Sequence, residues 1–148
     1  MKLIKLIKQF DETGCGIACI AMLANKDYEK VKGDLLIQEK WTKRKRNFYT
    51  KVHQLQKLLK IYKIESQVAK FKNWNSLKSF SIVGVNSDEG YFHWVISVKT
   101  KVSFLIIDPE FGEVYQGGSW VEEKGGYFSR KKSNYLCING LQFKGIKI

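Results

Sequence analysis

Ten consecutive residues, Cys15 to Ala24 (CGIACIAMLA), carry no charge and almost no polar side chain. A helix that lies on a surface shows an apolar stripe and a polar face. This segment has no polar face, so it predicts a short helix surrounded by protein on every side and ending at Asn25. It falls well short of the ~20 apolar residues that a membrane-spanning helix needs. The rest of the chain therefore has to build a shell around this helix.

The 148 residues suffice for that in a single domain, 1–148, with no internal repeat and no low-complexity linker. A chain of this length buries roughly two thirds of its unfolded surface. Asp27 is placed to cap a second helix running to about Lys40, with Val31, Leu35 and Leu36 on its buried side. Thr50 is placed to cap a third, to about Tyr62, with Val52, Leu55, Leu58, Leu59 and Tyr62 at helical spacing. The pattern then changes. Ser81–Val85, Tyr91–Lys99 and Val102–Asp108 are rich in β-branched and aromatic residues and are separated by turn-forming NSDEG and KTK. Shorter strands are expected near Gln67–Phe71, Glu113–Gln116 and Asn134–Ile138. Helices first and an antiparallel sheet afterwards is an α+β layout.

Three cysteines are an odd and sparse set for a disulfide scaffold. Cys15 and Cys19 stand one helical turn apart, a poor geometry for a bridge. The apolar start MKLIKLIK is interrupted by Lys5 and Lys8, unlike a signal peptide or a membrane span. These features predict reduced thiols, no transmembrane segment and a cytoplasmic setting. The formal net charge of +12 calls for an anionic partner: an acidic peptide, a nucleic acid or an anionic membrane surface. Part of it is concentrated in Lys40–Arg46 (KWTKRKR), read as a solvated segment between helices.

Three positions carry chemistry. Cys15 has glycines on both sides and opens the apolar helix. A helix N-terminus presents unsatisfied N–H groups and partial positive charge, an environment that favours a thiolate. His93, one of two histidines, stands among apolar neighbours in a strand-like run and is suited to act as a general base. Asp108, before Pro109, ends the next apolar run, where a carboxylate could orient an imidazole on the neighbouring strand. Gln9 lies upstream of Cys15. Its side-chain amide, together with the Cys15 backbone N–H, could hold an oxyanion. In chain order this is nucleophile, base and orienter, preceded by an oxyanion donor. Cys19 and Cys137 read as structural, and His53 as a surface residue of the third helix. No set of four ligands with close Cys or His pairs appears, so no metal or other cofactor is expected.

Gln9, five residues, then Cys15-Gly16-Ile17-Ala18-Cys19, with His93-Trp94-Val95 and Asp108-Pro109 downstream, resembles the C39 peptidases. These are papain-like, bacteriocin-processing domains often found at the N-terminus of ABC exporters. The resemblance runs from about Gln9 to Pro109. It implies a papain-like cysteine peptidase fold, with N-terminal helices packed on a C-terminal antiparallel sheet. It also implies cleavage of leader peptides after a double glycine, with Cys15, His93, Asp108 and Gln9 as nucleophile, base, orienter and oxyanion donor. A peptide or protein substrate, acidic at a distance from the cut, and an exporter or immunity-type partner go with that reading.

Two alternatives stand beside it. A free-standing effector or toxin would use the same acyl chemistry on another protein. A basic module binding peptide or nucleic acid without turnover would rely on charge alone. Nucleic acid is disfavoured, because the aromatic residues follow strand patterns and form no base-stacking motif. The residues after Asp108, with glycine pairs at Gly117-Gly118 and Gly125-Gly126 read as turns, suggest no role by themselves.

Overall fold

A computed structural model describes residues 2–86, 92–123 and 135–147 of the chain. The apolar decapeptide is its first helix, α1 (Cys15–Ala24), and every residue from Cys15 to Leu23 is buried. The helix stops where expected. Asn25 turns left-handed at φ 55°, and its N–H closes on the Ala21 carbonyl. Helix α2 (Tyr28–Glu39) starts after Asp27 and buries Tyr28, Val31 and Leu35. Leu36 only packs against the edge of the core.

Helix α3 (Val52–Ile61) begins one residue later than the sequence suggested, with Lys51 and not Thr50 at the cap position. Gln54 Oε1 accepts the Lys51 N–H at 2.7 Å and so closes the first turn. Thr50 is buried, and its carbonyl accepts the Trp94 indole N–H at 3.1 Å. A residue held in the core in this way is not available to cap.

Six strands form the main sheet: β2 (Ser66–Ala69), β3 (Phe80–Asn86), β4 (Phe92–Lys99), β5 (Phe104–Asp108), β6 (Glu113–Gln116) and β7 (Tyr135–Ile138). Their order is β2-β7-β3-β4-β5-β6, with every neighbouring pair antiparallel. The strand runs read from the sequence agree to within about two residues. Tyr91 and Asn134, which those runs included, lie outside the described residues, as do Gly125-Gly126. Four of the described elements went unread, one of them a short 3-10 helix at Trp74–Ser76. Strands β1 (Lys2–Lys5) and β8 (Phe143–Lys147) make a separate parallel pair. Helix α4 (Gly117–Glu123) begins at Gly117-Gly118, which had been read as a turn.

Side-chain alternation divides the sheet into two faces. Phe80, Ile82, Trp94, Ile96 and Ile107 join the α1–α3 core. Val83, Val85, Val95 and Ile106 join a second cluster with Leu77 and Trp120, against which Trp74 packs. All three cysteines are free and buried. No described helix is long and apolar enough to cross a membrane.

Candidate active site

The pairing of β4 with β5 runs from Ile96 opposite Ile107 to Lys99 opposite Phe104. Beyond Ile107 the ladder ends, and Asp108-Pro109 leads into a turn in which the Gly112 N–H closes on the Asp108 carbonyl at 2.9 Å. Trp94 and His93 therefore project past the end of β5. The N-terminal turn of α1 meets β4 there. The Trp94 N–H donates to Cys15 Sγ at 3.3 Å, and Cys19 Sγ donates to the Trp94 carbonyl at 3.6 Å. Two sulfurs one helical turn apart thus bracket one residue of β4 and set the height of α1 on the strand.

His93 and Asp108 alternate with the face that α1 covers and lie on the side of Val95 and Ile106. His93 Nε2 and Asp108 Oδ1 are 2.7 Å apart, and both side chains are almost wholly buried. The Cys15 thiol hydrogen-bonds the same imidazole. Burial by itself would lower the pKa of His93. The Asp108 hydrogen bond and the Cys15 sulfur outweigh it and push the pKa up to about 10. Burial likewise opposes the charge on Asp108, yet hydrogen bonds from His93, Trp120 and the Glu110 N–H hold its pKa below the usual carboxylate value.

The structure thus joins three of the four sequence-predicted residues in one chain of contacts, Cys15 to His93 to Asp108. A model of the Peptidase C39 family matches residues 3–123 of the sequence. The chain belongs to that family. Its fold is also that of a C39 protease domain. It superposes with a TM-score of 0.60 on a double glycine motif protease from an AMS/PCAT transporter, solved in complex with the leader peptide. The two are 17% identical, and the likeness covers 91% of this chain and 90% of that one. No curated protein matches the sequence.

Gln9, the fourth residue, is tied to this C39 site through the backbone, its N–H donating to the Pro109 carbonyl at 2.8 Å. Its side-chain Nε2 donates to the carbonyls of Asp11 at 3.1 Å and Glu12 at 2.8 Å, within the loop that leads to Cys15. Its Oε1 is buried without a hydrogen-bond partner among the described residues. The amide braces the loop here, and both its hydrogens are in use.

The same loop is anchored from α2. Tyr28 Oη donates to Asp11 Oδ2 at 2.6 Å and accepts the Asp11 N–H at 3.2 Å, and Lys32 Nζ stands 3.0 Å from Asp11 Oδ2. The glycines on either side of Cys15 are needed for room. A Cβ on Gly16 would lie 2.4 Å from Thr50 Oγ1, and one on Gly14 would lie 1.9 Å from Tyr28 Oη.

His93, Asp108 and Glu110 each offer one ligand atom within 4.8 Å of the others. Two of these groups, His93 and Asp108, are already hydrogen-bonded to each other.

Trp120 was missed by the sequence reading. Its indole Nε1 donates to Asp108 Oδ2 at 3.1 Å. A lone tryptophan after a glycine pair has no local pattern that ties it to an aspartate twelve residues earlier. The helix-compatible SWVEE that contains it was the available signal.

Proposed function

We propose that this peptidase is a thiol peptidase that cleaves a peptide after a double glycine, with Cys15, His93, Asp108 and Gln9 in the roles of nucleophile, base, orienter and oxyanion donor. The observation that carries this reading is the buried contact chain from the Cys15 sulfur through His93 to the Asp108 carboxylate at 2.7 Å.

The Trp94 N–H and the His93 imidazolium flank Sγ. The thiolate adds to the scissile carbonyl and forms a tetrahedral intermediate. The Cys15 N–H, at the helix N-terminus, and the Gln9 amide face the resulting oxyanion once Gln9 releases one of its loop carbonyls. The imidazolium protonates the leaving amine, and neutral His93 then activates the water that hydrolyses the thioester. Asp108 holds the ring so that Nδ1 faces the sulfur throughout.

Glycine at the cut fits the burial of the centre. Cys15 is 2% exposed and His93 4%. A segment without side chains reaches such a thiol most easily. The leader peptide bound to the similar protease points the same way. A cytoplasmic setting and a single-domain organisation go with this proposal.

The test is labelling with a thiol-directed covalent peptidase inhibitor, site mapping, and cleavage assays on peptides with Gly-Gly or Ala-Ala at the cut. Labelling of Cys15 with selective cleavage after Gly-Gly is expected. Labelling elsewhere would refute the catalytic assignment. Equal cleavage of both peptides would refute the double-glycine preference.

A further inference from the structure

Asp108 has two carboxylate oxygens, and different elements hold them. Oδ1 faces His93 Nε2 and accepts the Glu110 N–H at 3.0 Å. Oδ2 accepts the Trp120 indole N–H at 3.1 Å. An aspartate side chain turns readily about its last bond, because that torsion has broad minima. With one oxygen held, the carboxylate could still swing about that contact. With both held, the direction in which Oδ1 faces His93 is fixed. We propose that Trp120 is a positioning residue of the peptidase, clamping Asp108 so that the imidazole keeps Nε2 towards the carboxylate and Nδ1 towards Cys15. This inference rests on the thiol-peptidase reading above and deepens it.

The local fold brings the indole to this place. Strand β6 returns along β5, with Asp108 opposite Glu113, and passes directly into α4 at Gly117. A Cβ on Gly117 would lie 2.2 Å from the Phe104 ring, so only glycine lets the helix start so close to β5. Trp120 follows three residues later and is fully buried. Trp74 meets it edge-on at 5.6 Å and itself stacks on Phe104 at 5.7 Å. The aromatic cluster thus fixes the donor, and the donor fixes the carboxylate. The indole N–H is also among the groups that hold Asp108 in its charged form.

Two substitutions separate the donor from the packing. Trp120→Phe keeps an aromatic ring and removes the N–H. Trp120→His removes the benzo ring and keeps a ring nitrogen two bonds from Cγ, where the indole Nε1 sits. Both are compared with wild type by peptide turnover, by the pH dependence of Cys15 alkylation and by thermal melting. Trp120→Phe is expected to lower kcat about 10- to 100-fold with KM within about twofold, the scale known for partners that orient metal ligands. The alkaline limb of its alkylation profile should move to lower pH, because a less firmly held carboxylate supports the imidazolium less. Trp120→His should melt lower yet turn over faster than Trp120→Phe. In an Asp108→Asn background, Trp120→Phe should add less than threefold.

The opposite order, with the His variant slower and the Phe variant close to wild type in rate and pH profile, would overturn the clamp. So would failure of both variants to fold, which would make Trp120 a core residue. Wild type without preferential Cys15 alkylation would instead refute the thiol-peptidase reading itself.

Discussion

Trp94 donates its backbone N–H to Cys15 Sγ across 3.3 Å, so Cys15 is anchored by the residue that follows His93. A slip of α1 along β4 would break this contact and the thiol–imidazole contact together. The second sulfur of the helix guards against that slip, since Cys19 holds the carbonyl of the same residue. Burial pushes the Cys19 thiol up, and the neighbouring Cys15 and Asp108 add to the effect, so Cys19 remains a neutral donor.

Cys15 is therefore expected to alkylate faster near neutral pH than Cys19 or Cys137, and His93→Ala should slow it by at least tenfold. Cys15→Ala should abolish peptide turnover, because no other group supplies the nucleophile. Peptide mapping after brief exposure to a thiol reagent checks the order. Equal modification of the three thiols in the folded protein would contradict it.

The His93–Asp108 pair predicts a pH dependence. The pKa of His93 is raised to about 10, with burial opposing and the Asp108 and Cys15 contacts prevailing. The imidazolium should persist into alkaline solution, and Asp108→Asn should move the alkaline limb of Cys15 alkylation to lower pH by about one unit or more. Stability follows the same linkage. The His93 contribution is complete below its unfolded value of about 6.5 and is lost as pH rises through about 10. The Asp108 contribution is present above its unfolded value of about 3.9 and is lost as pH falls through its lower folded value. The melting-temperature gap between wild type and Asp108→Asn should thus narrow towards pH 3. A gap that stays constant from pH 3 to pH 8 would argue against the ion pair.

Gln9 distinguishes a catalytic donor from a loop brace. An oxyanion donor acts on the transition state, so Gln9→Ala should lower kcat by ~10²–10³ with little change in KM. The carbonyls of Asp11 and Glu12 that it now satisfies lie in an exposed or half-buried loop where water can replace it. The melting temperature should then fall by only a few degrees. A variant that melts far lower but, where folded, turns over at the wild-type rate would assign Gln9 to the loop alone.

The basic segment before α3 divides into two kinds of residue. Lys45 Nζ sits 4.4 Å above the Trp41 ring, whereas Lys43, Arg44 and Arg46 are exposed. Reversing the three exposed charges should slow cleavage of a peptide bearing acidic residues remote from the cut, and added salt should erase the difference. Unchanged kcat/KM at low salt would remove the segment from substrate capture.

The sequence revealed the parts of this molecule that carry strong local signals. The decapeptide of α1 has no polar face, and β3, β4 and β5 are unbroken runs of β-branched and aromatic residues. Cys15, His93 and Asp108 were legible because each breaks the pattern around it at the end of an element. Strands β1 and β8 were not, because KLIK and FKGIK are four- and five-residue pieces interleaved with lysine that find each other across the whole chain. Helix α4 was hidden by its opening glycines, which a turn and a crowded helix start both require. Thr50 read as a cap by residue type, but tertiary packing against Trp94 claimed it instead.

Gly14 offers a test of how tightly the loop before Cys15 is built. Its φ of −92° suits any residue, so alanine there meets no backbone strain. The obstacle is the Tyr28 hydroxyl, 1.9 Å from where the new Cβ would lie. Gly14→Ala must displace that hydroxyl and with it the hydrogen bonds to Asp11 that anchor the loop. Overpacking of this kind costs about 1–3 kcal/mol, and Cys15 alkylation should slow as the loop shifts. Tyr28→Phe alone removes the hydroxyl and should cost about 1 kcal/mol for the lost hydrogen bonds. Combined, the two changes should not add. Without the hydroxyl the shortest contact of the new methyl relaxes from 1.9 to 3.1 Å, to the ring Cζ, so the double variant should be more stable than the sum of the single losses by about 1 kcal/mol. It should also alkylate faster than Gly14→Ala. Denaturant unfolding of the four proteins in the cycle measures the coupling. A coupling near zero would mean that Gly14 is not required for the passage of Tyr28.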